Sequence, residues 1–169
     1  LADPGLETRH GAAPVGRARW LARHGVIAAA GTVVILLVSG LAIGLSFAAA
    51  TGAGAGQVAE LLGAGLIQVP AALVVGAVVL AAFAVVPRRA GPLAWGVLAA
   101  ALVMGQFGAL LELPPWLMNV SPFTHLPAMP AEPFSATPVA VLLAVAVGLS
   151  ALASVTFRRR DLVSMLANG

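Results

Sequence analysis

The side chains of this 169-residue sequence that could do chemistry are few: three histidines, six carboxylates, and two glutamines set in apolar runs, Gln68 and Gln106. His10, His24 and His125 are widely spaced, and no His-Glu-x-x-His pattern brings two of them onto one helical face, so hydrolytic zinc chemistry has no ligand set to start from. The absence of cysteine removes thiolate metal sites, thiol nucleophiles and disulfides together. An ATP-binding Gly-x-x-x-x-Gly-Lys-Ser/Thr loop is missing as well. The glutamines are different. A primary amide left unpaired in lipid is costly, so Gln68 and Gln106 must face protein or water, either bonding across helices or meeting a transported molecule. Glu60 and Glu112 fall at the ends of apolar runs, where solvation is cheap, and make poor proton relays.

The elements that must position these groups are membrane helices. Hydrophobic residues make up 60% of the chain and charged residues 9%, a composition outside the soluble range. Four uncharged stretches, 26–50, 61–86, 92–111 and 138–157, each match the roughly 20 apolar residues that a helix needs to cross a bilayer. Pro70, inside the second, removes an internal hydrogen bond and predicts a kink or the end of a short interfacial segment. Gly40 and Gly44 form a Gly-x-x-x-Gly pair in the first, the spacing that lets two helix backbones approach closely. In a sequence this rich in Gly, Ala and Val, the same pair also arises from composition alone.

The charge distribution tests that reading. All nine basic residues are arginine, at Arg9, Arg17/Arg19/Arg23, Arg88/Arg89 and Arg158/Arg159/Arg160. Long apolar runs separate these groups, so they cannot line a duplex and no nucleic-acid partner is expected. With residues 1–25 on the cytoplasmic side, alternating crossings put 51–60 and 112–137 outside and 87–91 and 158–169 inside. Every arginine is then inside, as basic flanks favour. The expected location is thus the cell membrane, multi-pass, with both ends of the sequence cytoplasmic.

Two segments stand apart from the spans. Residues 6–24, LETRHGAAPVGRARWLARH, combine charge, a Gly/Pro break and Trp20. A helix from about 15 to 24 places Arg19 and Arg23 one turn apart beside an interfacial tryptophan. A positive-inside anchor and a cytoplasmic contact surface both fit this pattern. Residues 112–137 carry repeated prolines with Trp116, Phe123 and Phe134, which suggests short interfacial or re-entrant helices and turns that cap a route or simply connect two spans. The sequence starts at Leu1 without a methionine, and the apolar run after Arg23 is too long for a signal peptide, so a longer parent chain is expected.

The order of ETRHGAAPVGRARWLARHG, LIQVPAAL, VVPRRAGPLAW, ELPPWLMNVSPFTHLPAMPAEPFSATP and FRRRDL resembles the carboxy-terminal part of ABC-2 type exporter permeases, particularly large actinobacterial antibiotic and polyketide exporters. The resemblance covers nearly the whole sequence. It implies an all-α polytopic membrane protein with an amphipathic cytoplasmic coupling segment, four of the family's six spans, and an outer re-entrant region. Glu7, Arg17, Arg19, Trp20 and Arg23 would then belong to the surface that docks on a cytoplasmic ABC ATPase. That partner would bind ATP and magnesium; this chain would hold no cofactor, no metal and no catalytic group. A second permease repeat or subunit and membrane lipids are the other partners implied. QVP at Gln68–Pro70 resembles the family's polar-proline entry into a span. The expected cargo is hydrophobic or amphipathic, such as an antibiotic or a lipid-like molecule. Two alternatives stand beside export: a structural membrane subunit that lines no pathway, and an intramembrane enzyme, for which no reactive pair is visible.

Overall fold

Helices account for nearly all regular structure in the computed structural model, which describes residues 17–86, 89–108 and 110–167, with side chains at 17–22, 102, 106 and 157–167 outside the description. In chain order these are α1 (Arg17–Thr51), α2 (Ala55–Leu66), α3 (Val69–Val85), α4 (Ala90–Phe107), the single-turn α5 (Pro115–Met118), a 3-10 turn (Pro122–His125) and α6 (Ala136–Ala167). Apolar residues surround α1, α3 and α6 rather than forming one stripe, the pattern of helices solvated by lipid or buried on every side.

Among the described residues three stretches are long and apolar enough to cross a membrane: Arg23–Thr51 with 29 residues, Ala55–Val85 with 31, and Ala136–Thr156 with 21. The chain is an all-α, membrane-spanning protein. α4 is shorter, 18 residues, and its apolar part runs Ala90–Gly105. The sequence predicted a third span to 111, but the helix closes at Gly108, whose N–H bonds the Met104 carbonyl at 3.1 Å. Several helix hydroxyls bond the preceding turn: Thr32 donates to Ala28 O, Ser150 to Ala146 O, Ser154 to Ser150 O and Thr156 to Leu152 O, all at 2.8–2.9 Å.

The predicted connection at 51–60 is mostly helix. Only Gly52–Gly54 separates α1 from α2. Gly52 has φ +73°, the left-handed conformation that ends a helix at little cost for glycine, and its N–H returns to the Ala48 carbonyl at 2.8 Å. So short a turn folds α2 back along α1, and the Gly-x-x-x-Gly pair is the contact. A Cβ on Gly40 would lie 3.2 Å from Leu62 Cα, and one on Gly44 would lie 3.1 Å from the Val58 carbonyl oxygen. Gly65 meets α1 in turn: its Cβ would come within 3.2 Å of Gly40 Cα and of the Leu36 carbonyl oxygen. The partner of Gly40 and Gly44 is therefore inside the same chain.

A second helix pair carries the core. Ile67, Ala71, Val74 and Ala77 form one buried face that packs against Leu142 and Ala146 of α6 and Leu126 of the 112–137 segment. The spacing 67, 71, 74 is that of one helical face, and alanines at 71, 77 and 146 let the axes approach. Outward-facing apolar side chains remain open, with Ile27, Ile35 and Val147 each about two-thirds exposed. Such faces suit lipid or another membrane helix as well as a packed core.

Candidate functional site

Between α2 and α3 the helix is interrupted for two residues, Ile67 and Gln68. Ile67 N–H bonds the Gly63 carbonyl at 2.9 Å, Gln68 N–H falls back to the Gly65 carbonyl at 3.2 Å, and Ala72 N–H reaches the Gln68 carbonyl at 3.0 Å. The ladder thus tightens by one residue where Pro70, without an N–H, enters the first turn of α3. The interruption falls at the proline that the sequence singles out. Gln68 Oε1 is buried there with no hydrogen-bond partner among the described residues, an uncommon state for a buried amide oxygen.

An apolar groove of ≈ 330 Å³ opens beside the interruption. Gly63, Leu66, Ile67 and Pro70 form one wall, and Met129 and Phe134 of the 112–137 segment with Val139 of α6 form the other. Met129 Cε lies 3.6 Å from the position a Gly63 Cβ would take, so the methionine packs over a helix stretch that offers no side chain. The volume is at the low end for small-molecule sites, and the lining offers hydrophobic contact rather than polar orientation. Sequence reasoning missed this wall. The signal was present, because 63, 66, 67 and 70 recur at helical spacing, but the covering residues come from a proline-rich segment with no periodicity.

The proline-rich segment 112–137 is held by its own short-range bonds. Thr124 Oγ1 is within 2.9 Å of the Met118 carbonyl and 2.8 Å of the Ser121 carbonyl, and its hydroxyl donates to one of them at a time. His125 Nδ1 lies 3.1 Å from the Ser121 carbonyl, a pairing that requires the proton on Nδ1. Glu132 Oε2 accepts from Ala128 N–H at 2.9 Å. Ser121 is fully buried, its Oγ unpartnered among the described residues. The predicted interfacial aromatics divide here: Trp116 and Phe134 are exposed, while Phe123 packs partly against the core.

The other sequence candidates fall on α1, α2 and α4 or outside the described residues. Glu7 lies outside the described residues. Arg17, Arg19 and Trp20 fall on the first turns of α1, their side chains outside the description, and Arg23 is exposed. The helix expected at about 15–24 is, from Arg17, continuous with the first span. Gln106 sits near the end of α4, with its side chain outside the description. Because α3 and α4 pack together and are joined by a short connection, Gln68 and Gln106 lie at the same end of that pair. Gln57 Nε2 donates to Glu60 Oε2 at 3.1 Å on the exposed face of α2. Among the described residues no three His, Cys, Asp or Glu side chains are grouped to hold a metal.

The fold and groove define an all-α, membrane-spanning protein. Comparison with known families narrows the class: the model described as the C-terminal domain of the multidrug efflux system permease Rv1217c matches residues 8–158. The chain is also 37% identical over 150 residues to the multidrug efflux system permease protein Rv1217c of Mycobacterium tuberculosis (strain ATCC 25618 / H37Rv), a match covering 89% of this chain and 27% of that protein. The chain therefore belongs to the Rv1217c-type ABC-2 exporter permease family, in its C-terminal domain. Members of that family are transport components, not catalysts. The chain spans about a quarter of the length of this relative.

Proposed function

We propose that the chain forms the transmembrane part of an ATP-driven exporter for hydrophobic or amphipathic compounds, antibiotics or lipid-like molecules among them. The family match over residues 8–158 carries this reading, and the relative's name as a multidrug efflux permease suggests the cargo class. Cytoplasmic ABC ATPase subunits bind ATP and magnesium. Residues 6–24, with Glu7, Arg17, Arg19, Trp20 and Arg23, receive their movement and pass it into α1. The continuity of α1 from Arg17 to Thr51 supports this, because a rigid helix carries displacement at one end into the membrane. Another permease repeat or subunit completes the pathway, in keeping with the greater length of the relative.

The same reading has four crossings with both ends of the sequence cytoplasmic, and 112–137 as an outer re-entrant region. α4, with 18 residues, extends about 27 Å, close to the roughly 30 Å hydrocarbon thickness, which supports a fourth crossing. The arginine distribution supports the orientation. Gln68 and Gln106 contribute polar contacts along the pathway or between helices.

A second reading, a structural membrane subunit, draws on the apolar lining of the groove. Single cysteines placed along α3 and α4 in the complete ATPase–permease assembly separate the two. A pathway gives a face whose reactivity toward a water-soluble maleimide changes between ATP-free and ATP-trapped states. Uniform inaccessibility in both states, with assembly intact, overturns the pathway assignment.

A further inference from the structure

The close contacts divide the helices into two bodies. α2 is locked to α1 along its length through Val58 on Gly44, Leu62 on Gly40 and Gly65 on Leu36, where backbone meets backbone. α3 is locked to α6 through Ala71, Val74 and Ala77 against Leu142 and Ala146, with Ile67 of the interruption seated at the edge of this core, and the 112–137 segment joins this second body through Leu126. α1 touches α3 and α6 only lightly by comparison. Continuous backbone between the bodies passes through Ile67 and Gln68, where the helical hydrogen-bond ladder is interrupted. There the Gln68 N–H bond is 3.2 Å long and reaches back three residues, Pro70 has no N–H to offer the Leu66 carbonyl, and Gln68 Oε1 is unpartnered.

We propose that the Ile67–Gln68 interruption is a hinge on which the α1–α2 body swings against the α3–α6 body, opening and closing the groove between them. Gly63 and Leu66 belong to the first body, and Pro70, Met129 and Val139 to the second, so bending at the hinge changes the groove's width directly. Met129 rests on the bare backbone at Gly63. A flexible thioether against a glycine can slide without an interlocking side chain to resist it. Closely packed pairs that move as units about a short irregular linker follow the general pattern of hinge motion. This device belongs to the fold and stands apart from any assignment of cargo or ATPase.

The experiment measures spin-label distances in the full-length protein in lipid nanodiscs, on a background free of other cysteines, as residues 1–169 already are. The pair Ala59→Cys and Val147→Cys reports between the bodies, and Ile27→Cys with Ala59→Cys reports within the first; all three positions are exposed. The distribution between bodies is expected to be the broader of the two. Pro70→Ala, which restores an N–H for the Leu66 carbonyl, is expected to narrow it and leave the distribution within the first body unchanged. Equal widths in the unsubstituted protein overturn the hinge, whether or not the Pro70 variant accumulates. A response confined to the α1–α2 pair overturns it as well. Neither outcome touches the transport reading, which rests on the accessibility measurements above.

Discussion

Gly44 of α1 faces the backbone of Val58 so closely that a methyl group in place of its hydrogen would lie 3.1 Å from the carbonyl oxygen and 3.2 Å from Cα. Neither atom can rotate away. Gly44→Ala is therefore expected to push α2 off α1 and to destabilise the purified protein by about 1–3 kcal/mol, the usual cost of overpacking. Gly76→Ala and Gly148→Ala, where nothing lies within 4 Å of the added methyl, are expected to be neutral or stabilising by roughly 0.5–1 kcal/mol through helix propensity. Thermal unfolding in one detergent measures all three. Equal effects at 44, 76 and 148 would remove the contact from any role in stability.

Gln68 gives a test of opposite sign. Its buried Oε1 has no partner among the described residues, so Gln68→Leu removes a desolvated polar atom and is expected to leave stability unchanged or raise it by about 1 kcal/mol. Under the export reading the same substitution lowers ATP-dependent cargo transport. Loss of stability alongside transport would instead show that the amide is a packing contact.

The orientation proposed from the arginines predicts labelling in intact cells. A membrane-impermeant maleimide is expected to modify cysteine at Gly54, in the turn after α1, and at Ala131, in the outer segment. Cysteine at Arg89 is expected to react only after permeabilisation. The reverse pattern would invert the topology.

The docking role proposed for the amino-terminal segment is tested by photo-crosslinkers at Arg17 and Arg19 in isolated membranes, with products expected to contain the ATPase. Double substitution of both arginines by alanine is expected to lower transport more than permease abundance. Abundance falling in step with transport would mark the arginines as membrane anchors.

How much of this was legible in the sequence depended on whether a local pattern or a distant partner set the outcome. Gly40 and Gly44 could be read because close helix approach needs a fixed spacing of small residues, and the interruption at Pro70 could be read because the missing N–H is a local fact. The start of α2 could not. TGAGAGQVAE is rich in glycine and polar ends, a loop by propensity, yet from Ala55 it is helical because α1 presents a glycine-lined face for Val58 and Leu62 to rest on. Tertiary contact overrode propensity there. The groove was hidden for a related reason: Met129 and Phe134 reach it through turns built on Thr124, His125 and Glu132, whose bonds leave no periodic trace.

The three-residue turn at Gly52–Gly54 also sets the order in which the chain can assemble. It brings Gly44 and Val58 together across 14 positions, 58 less 44, so the first helical hairpin can close while the rest of the chain is still being made. α3 meets α4 next in sequence, but its buried core face has its partners on α6. Ala71 waits for Leu142, 142 less 71 or 71 positions later, and until α6 arrives its inner face must be shielded by lipid or by the insertion machinery. Biogenesis of this domain is thus staged: an early pair that is sequence-local, then a late pair whose completion depends on the last helix entering the bilayer. Substitutions on α6 should therefore trap a membrane-inserted intermediate with its first hairpin already formed.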